Sequence, residues 1–227
     1  MATEKKYKLT DVCITIGGRD LYRIEALKDF DWVKKGDKGG FIESENNLSQ
    51  EYNCWVYDDA VVYGDAVVCG DAMVWGDAMV WGNADICGDA KVCGNADIYG
   101  NVKVCGNAEI CGNAEICGDA VVYGNAKVCG NAEIYGNAEI CGNARVYDNA
   151  EIYGNAKIGS NSDYIVFKNW WSSGRYFTWT RSNNMWRVGC FYGTGEELIA
   201  KAYRDSNLSG REYERVVKYV ESILKED

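Results

Sequence analysis

The sequence predicts a mainly β chain built around a parallel solenoid of about six coils, with an N-terminal β cap and a small C-terminal α+β domain. Three observations carry this. Residues Val56 to Lys157 repeat every six positions, seventeen times in 102 residues, as aliphatic, Tyr/Cys/Trp, Gly, Asn/Asp, Ala, variable. A period of six fits neither an amphipathic helix nor a hairpin meander, but it fits stacked short strands. The flanking segments lose the period and change in composition, which sets boundaries at 1–41, 42–162 and 163–227.

Within each hexad, Ala and the aliphatic residue lie two apart and point to one face, so the interior takes one small and one branched side chain per strand. Gly-Asn or Gly-Asp turns the corner, because these types tolerate left-handed backbone angles. Three hexads make an 18-residue coil, with coils about 4.8 Å apart. "IESENNL", Ile42 to Leu48, reads as a worn earlier copy, followed by a two-residue insertion before Val56.

Upstream, "VCITIGGRDLYRIEA" holds two β-rich runs around Gly17-Gly18, a hairpin signal. "KKGDKGG", Lys34 to Gly40, reads as a loop and lacks phosphate-loop spacing. Trp55, Val61, Val67, Met73, Trp75, Met79 and Trp81 make the exterior of the first coils apolar, so a cover is expected there, from the N-terminal segment or from sister subunits.

The net charge of −10 sits in the repeat: residues 55–162 carry 5 Lys/Arg against 15 Asp/Glu, while both flanks are nearly neutral. Such a face argues against duplex nucleic acid. No long apolar run predicts a membrane span, the first residues lack the apolar stretch of a secretory signal, and a cytoplasmic location is the expectation. Eight of eleven cysteines occupy one hexad position, without zinc-type spacing, and read as free thiols that pack. Positions 18 apart stack, so Asp97, Glu115, Glu133 and Glu151 form an acidic row beside Tyr63, Trp81, Tyr99, Tyr135 and Tyr153. Either lateral packing or a partner cation accounts for that row.

"IYGNAE" and "VCGNAE" resemble the hexapeptide repeat of left-handed parallel β-helix proteins, most closely poorly characterised bacterial and phage members with GNA and GDA hexads. The resemblance covers about half of the chain. It implies left-handed coiling and a homotrimer. The family often has Gly directly after the aliphatic residue, where this chain has Tyr, Cys or Trp. Hexapeptide acyltransferases use a histidine base and γ-class carbonic anhydrases bind zinc through histidines; with no histidine in the chain, no catalytic residue, metal or cofactor is expected, and the protein is read as a non-enzyme.

The C-terminal segment holds ten aromatics between Tyr164 and Tyr192, threaded with arginines. It reads as a small antiparallel sheet and two helices, opened by capping boxes at Thr194 and Ser209. Rings stack on planar groups and guanidinium forks hold phosphate. The expected ligand-binding set is therefore Trp170, Trp171, Arg175, Tyr176, Trp179, Arg181, Trp186, Arg187 and Thr194. Its expected ligand is a small phosphorylated, nucleotide-like molecule. By analogy with phage-encoded hexapeptide proteins, such capture would sequester a host immune signalling nucleotide. The alternative is an adaptor scaffold for protein–protein interaction, and a hexapeptide acyltransferase comes third.

Overall fold

The computed structural model describes residues 4–225, so the outermost ends of segments 1–41 and 163–227 lie outside the described residues. Its centre is a parallel β-solenoid. Eighteen two-residue strands, from Trp55–Val56 to Lys157–Ile158, stack in three parallel sheets, each strand pairing with those 18 residues away. Along every sheet the aliphatic residues lie directly over one another, as in Ile98, Ile116, Ile134 and Ile152. These and the alanines are buried almost completely and fill the tube. Burial of each Val or Ile contributes about 1.5–3 kcal/mol, which is how two-residue strands hold together.

An additional rung corrects the expected coil number to about seven. Strand β3 (Lys38–Ile42) pairs in parallel with Val61–Val62, and Leu48 bridges Val68, so Ile42, Leu48 and Val56 form a first coil. The worn copy read from Ile42 to Leu48 is thus a real turn. The loop expected at Lys34–Gly40 is only partly a loop, because Lys38–Gly40 already belong to β3. Gly39 and Gly40 are needed there: a Cβ on either would lie within 2.5 Å of the Val56 or Ala60 carbonyl oxygen.

The corners repeat one conformation. At Gly112 φ is +74°, and a Cβ would stand 2.8 Å from the Gly130 carbonyl oxygen. Two hexads replace the glycine by Asp58 and Asp148, which adopt the same left-handed angles. Next to the glycine, asparagines join in rows, as Asn107 Nδ2 donates to Asn125 Oδ1 (3.1 Å) and Asn125 to Asn143 (3.1 Å).

The two ends differ in what they leave unpaired. Outside the strand ladders, each coil donates N–H groups to the carbonyls of the next, as Lys127 N does to Ala144 O (2.9 Å). The first coil is therefore left mainly with carbonyls and the last mainly with N–H groups. At the first end, strands β1 (Tyr7–Ile16) and β2 (Arg19–Ala26) form the hairpin, turned by Gly17 and Gly18 at positive φ, and β2 pairs with β3. This segment supplies donors. Tyr7 OH reaches Leu48 O (2.6 Å), Lys6 Nζ reaches Cys54 O (2.8 Å), and Arg23 reaches Gly39 O (2.9 Å). Leu21, Phe41 and Val61 pack with Ile14 and Ile16, and Trp55 is buried under Tyr7 and Phe30. The N-terminal segment thus covers Trp55 and Val61, while Val67, Met73, Trp75, Met79 and Trp81 stay half-buried on the exterior.

At the other end an antiparallel sheet of Tyr164–Lys168, Tyr176–Thr180, Met185–Val188 and Phe191–Gly193 supplies acceptors. The last N–H groups of the three faces, on Arg145, Glu151 and Lys157, donate to Asn161 Oδ1 (2.9 Å), Thr178 Oγ1 (2.9 Å) and Ser182 Oγ (2.7 Å). Helix α1 (Gly195–Asp205) and helix α2 (Asn207–Ile223) follow. Alternation along Tyr176–Thr180 sends Thr178 toward the solenoid and Phe177 and Trp179 into a core with Leu198, Val217 and Val220. The capping box at Thr194 is present, but α2 starts earlier than the Ser209 signal implies, because Ser206 caps it by accepting from Ser209 N (3.0 Å).

Candidate anion-binding cleft

The nine residues expected to hold a ligand do not converge. Trp179 and Trp186 face each other across two strands, buried at 1% and 2% exposure, and Trp179 Nε1 donates to Asn184 (2.8 Å). They fill the core instead of offering a stacking face. Trp171 packs edge-on against Tyr213, while Trp170 beside it is 80% exposed. Tyr176 lies under the Lys168 ammonium. Thr194 caps α1, whose N-terminal charge is met from within: Thr194 N donates to Glu197 Oε2 (2.9 Å). Arg181 is exposed at the end of its strand and donates its backbone N–H to Asp163 O (2.8 Å).

Arg187 belongs to the junction with the solenoid. Its guanidinium lies over the Tyr153 ring at 3.9 Å and donates to Glu151 Oε2 (3.0 Å) and the Tyr153 hydroxyl (3.1 Å). It thereby neutralises the end of the acidic row. Further along, Trp81 Nε1 donates to Asp97 (2.8 Å), Tyr99 OH to Glu115 (2.6 Å) and Tyr153 OH to Glu133 (3.2 Å). The stacked carboxylates are thus met by the neighbouring ring row. Burial nonetheless pushes the Asp97 carboxyl up, and burial followed by the Glu133 charge does the same for Glu151.

Of the nine, Arg175 lines a cavity. A cleft of about 110 Å³ between the sheet and α1 is bounded by buried Val188, Leu198 and Ala202 and by the polar Arg175, Lys201, Asp205 and Tyr213. The Arg175 guanidinium lies close above Gly189, where a Cβ would sit 3.2 Å from Nη1. Among the described residues neither Arg175 nor Lys201 has a carboxylate within salt-bridge distance, although Asp205 borders the same space. Lys201 escaped the sequence reading because its position on the cleft depends on how α1 docks against the sheet. The spacing from Thr194 shows only that it is helical.

A larger feature was also missed. An open trough of about 690 Å³ runs along one solenoid face, lined by Asp71, Asp89, Asn107 and Asn125 at a corner and by Met73, Lys91, Glu109 and Lys127 beside it. The 18-residue spacing of that corner row was its available signal. Lys127 pairs with Glu109, while Asp31, Asp71 and Asp89 leave the trough acidic.

A family model described as YdcK Beta solenoid repeat matches residues 56–70. This is a β-solenoid repeat protein. The chain is also 50% identical over 38 residues to the "Uncharacterized acetyltransferase YdcK" of Escherichia coli (strain K12). That stretch covers 17% of this chain and 12% of the relative's length. The match corrects the non-enzyme reading, because a relative 50% identical over this stretch is named an acetyltransferase. No helix among the described residues is long and apolar enough to cross a membrane.

Proposed function

We propose that this protein is an anion-binding β-solenoid, whose C-terminal unit holds the phosphate of a small phosphorylated molecule between Arg175 and Lys201. The observation that carries the reading is the pairing of two cations, each without a carboxylate partner among the described residues, on one cleft. Cations left in that state attract an anion, and each charge-assisted hydrogen bond contributes about 1.5–3 kcal/mol. The volume of about 110 Å³ suits a phosphate-sized group. Drug-sized ligands need about 300 Å³ or more, so a nucleotide would anchor here by its phosphate and extend outside. Retained in this way, a signalling nucleotide would be withdrawn from its receptor.

The test is calorimetric titration with inorganic phosphate, nucleoside mono- and diphosphates and acetyl-coenzyme A. Arg175→Ala and Lys201→Ala should each weaken binding by about tenfold or more. Equal affinity in both variants contradicts the assignment.

The relative's name favours a second reading, acetyl transfer from a phosphorylated donor that would use the same cations. Loss of the acetyl group from the donor on incubation with an amine, abolished by the same substitutions, supports it. Binding of the donor without its consumption contradicts it.

A further inference from the structure

The solenoid arranges half-buried cysteines in rows. Cys93, Cys111 and Cys129 each follow the aliphatic residue of consecutive rungs on one face, in the parallel register Val92, Ile110, Val128. Cys111 and Cys129 are joined as a disulfide, with Cα atoms 4.7 Å apart, so two of the thiols read as free are paired. Cys93 remains a thiol one rung below. One rung is within the Cα separation that a disulfide accepts, and the same spacing separates Cys93 from Cys111.

We infer that this row is a redox-modification site in which a single disulfide exchanges between two positions, Cys111–Cys129 and Cys93–Cys111. Exchange is a displacement at sulfur. The Cys93 thiolate attacks Cys111 Sγ, a Cys93–Cys111 bond forms, the Cys111–Cys129 bond breaks, and Cys129 leaves as a thiolate. One proton is lost from Cys93 and one is taken up by Cys129, and no net oxidation occurs. The displacement needs three sulfurs nearly in line, and the parallel register sets the three residues on successive rungs, Cys111 between the other two. The row is first oxidised by a low-molecular-weight disulfide, which accepts two electrons and leaves as two thiols.

A second row provides the contrast. Cys69, Cys87 and Cys105 repeat the same geometry but remain thiols. Burial and then the Asp85 carboxylate raise both Cys69 and Cys87, the latter to about 11. Beside the first row stand Lys91, Lys127 and Arg145, with Glu109 among them. Cys93 is itself raised, by burial first and then by Glu109, so exchange should quicken as pH rises and in Glu109→Gln.

The experiment equilibrates the full chain with oxidised and reduced glutathione, quenches in acid, alkylates the free thiols and maps linked peptides by mass spectrometry. Wild-type protein should give both Cys93–Cys111 and Cys111–Cys129 peptides and no Cys93–Cys129 peptide. Cys129→Ser should move the linkage completely to Cys93–Cys111, and Cys111→Ser should abolish it. These side chains point out of the tube, so circular dichroism should match wild type. If Cys93 and Cys111 are both alkylated in folded Cys129→Ser, or the wild-type row is fully alkylated, the inference is overturned.

Discussion

The two ends of the solenoid solve opposite problems. The first coil presents carbonyls and is closed by donors, Lys6, Tyr7 and Arg23; the last presents N–H groups and is closed by acceptors, Asn161, Thr178 and Ser182. The bonds outside the strand ladders bias the ends this way, although the last coil also offers carbonyls, which Tyr164 OH meets at Arg145 O (2.8 Å) and Tyr192 OH at Tyr153 O (3.3 Å). The cations at the two ends then differ in kind. Lys6, 1% exposed, is held by the Cys54 carbonyl at 2.8 Å, the Cys54 sulfur at 3.3 Å and the Glu51 and Tyr52 carbonyls, so its donors are used up. Arg175 and Lys201 border an open cleft with no carboxylate at salt-bridge distance among the described residues. A saturated cation holds a fold together, whereas an unsaturated one is available to a ligand.

The largest effect should come from Lys6→Met, which removes the donor from the buried Cys54 carbonyl and leaves the Lys6 pocket unfilled by charge. Each stranded group costs about 1–3 kcal/mol, so urea denaturation should show a loss of at least that size. An unchanged midpoint would mean that the end coil does not depend on Lys6. Thr178→Val is the matching change at the other end. It strands one N–H, on Glu151, and should cost about 1–3 kcal/mol while leaving the N-terminal cap intact, which hydrogen exchange at Glu151 would register.

A pH profile sharpens the contrast further. Burial lowers the Lys6 pKa, so in the alkaline range this one group binds fewer protons in the folded chain than in the unfolded one. Its own contribution to stability should therefore slope upward with pH between the lowered folded pKa and the unfolded value of 10.5. The raised thiols of Cys54, Cys69, Cys87, Cys93 and Cys117 slope downward against it, so it is read as the difference between wild type and variant. Lys6→Met should lose that slope in melting temperature, and a slope equal to wild type would assign it elsewhere. The smallest effect on stability should come from Arg175→Ala, within about 0.5 kcal/mol, because no ion pair is broken. A large loss would make Arg175 a second Lys6, structural and not binding.

The solenoid was legible because each hexad repeats one local solution: Ala and Ile or Val inward, Gly or Asp at the left-handed corner. Even the worn turn at Ile42 and Leu48 could be read. The caps themselves were legible, the N-terminal one from its hairpin, but their capping contacts were not, because Lys6, Thr178 and Ser182 act on carbonyls and N–H groups more than twenty residues away, and nothing local marks them. The candidate site was legible only in Arg175. Trp179 and Trp186 have the composition of a stacking platform, yet the alternation of their strands, with α1 and α2 on that side, commits them to a core. Arg187 looked like a phosphate fork and instead answers Glu151, a residue of the repeat 36 positions away. Lys201 became visible only once α1 was docked.

The most direct test of this account is calorimetric titration of inorganic phosphate into wild-type protein and into the Arg175→Ala/Lys201→Ala double variant, with melting temperatures recorded in parallel. The account predicts saturable one-site binding to wild type, its loss in the double variant, and melting temperatures that coincide. No saturable binding to wild type, or binding that survives in the double variant, would contradict it.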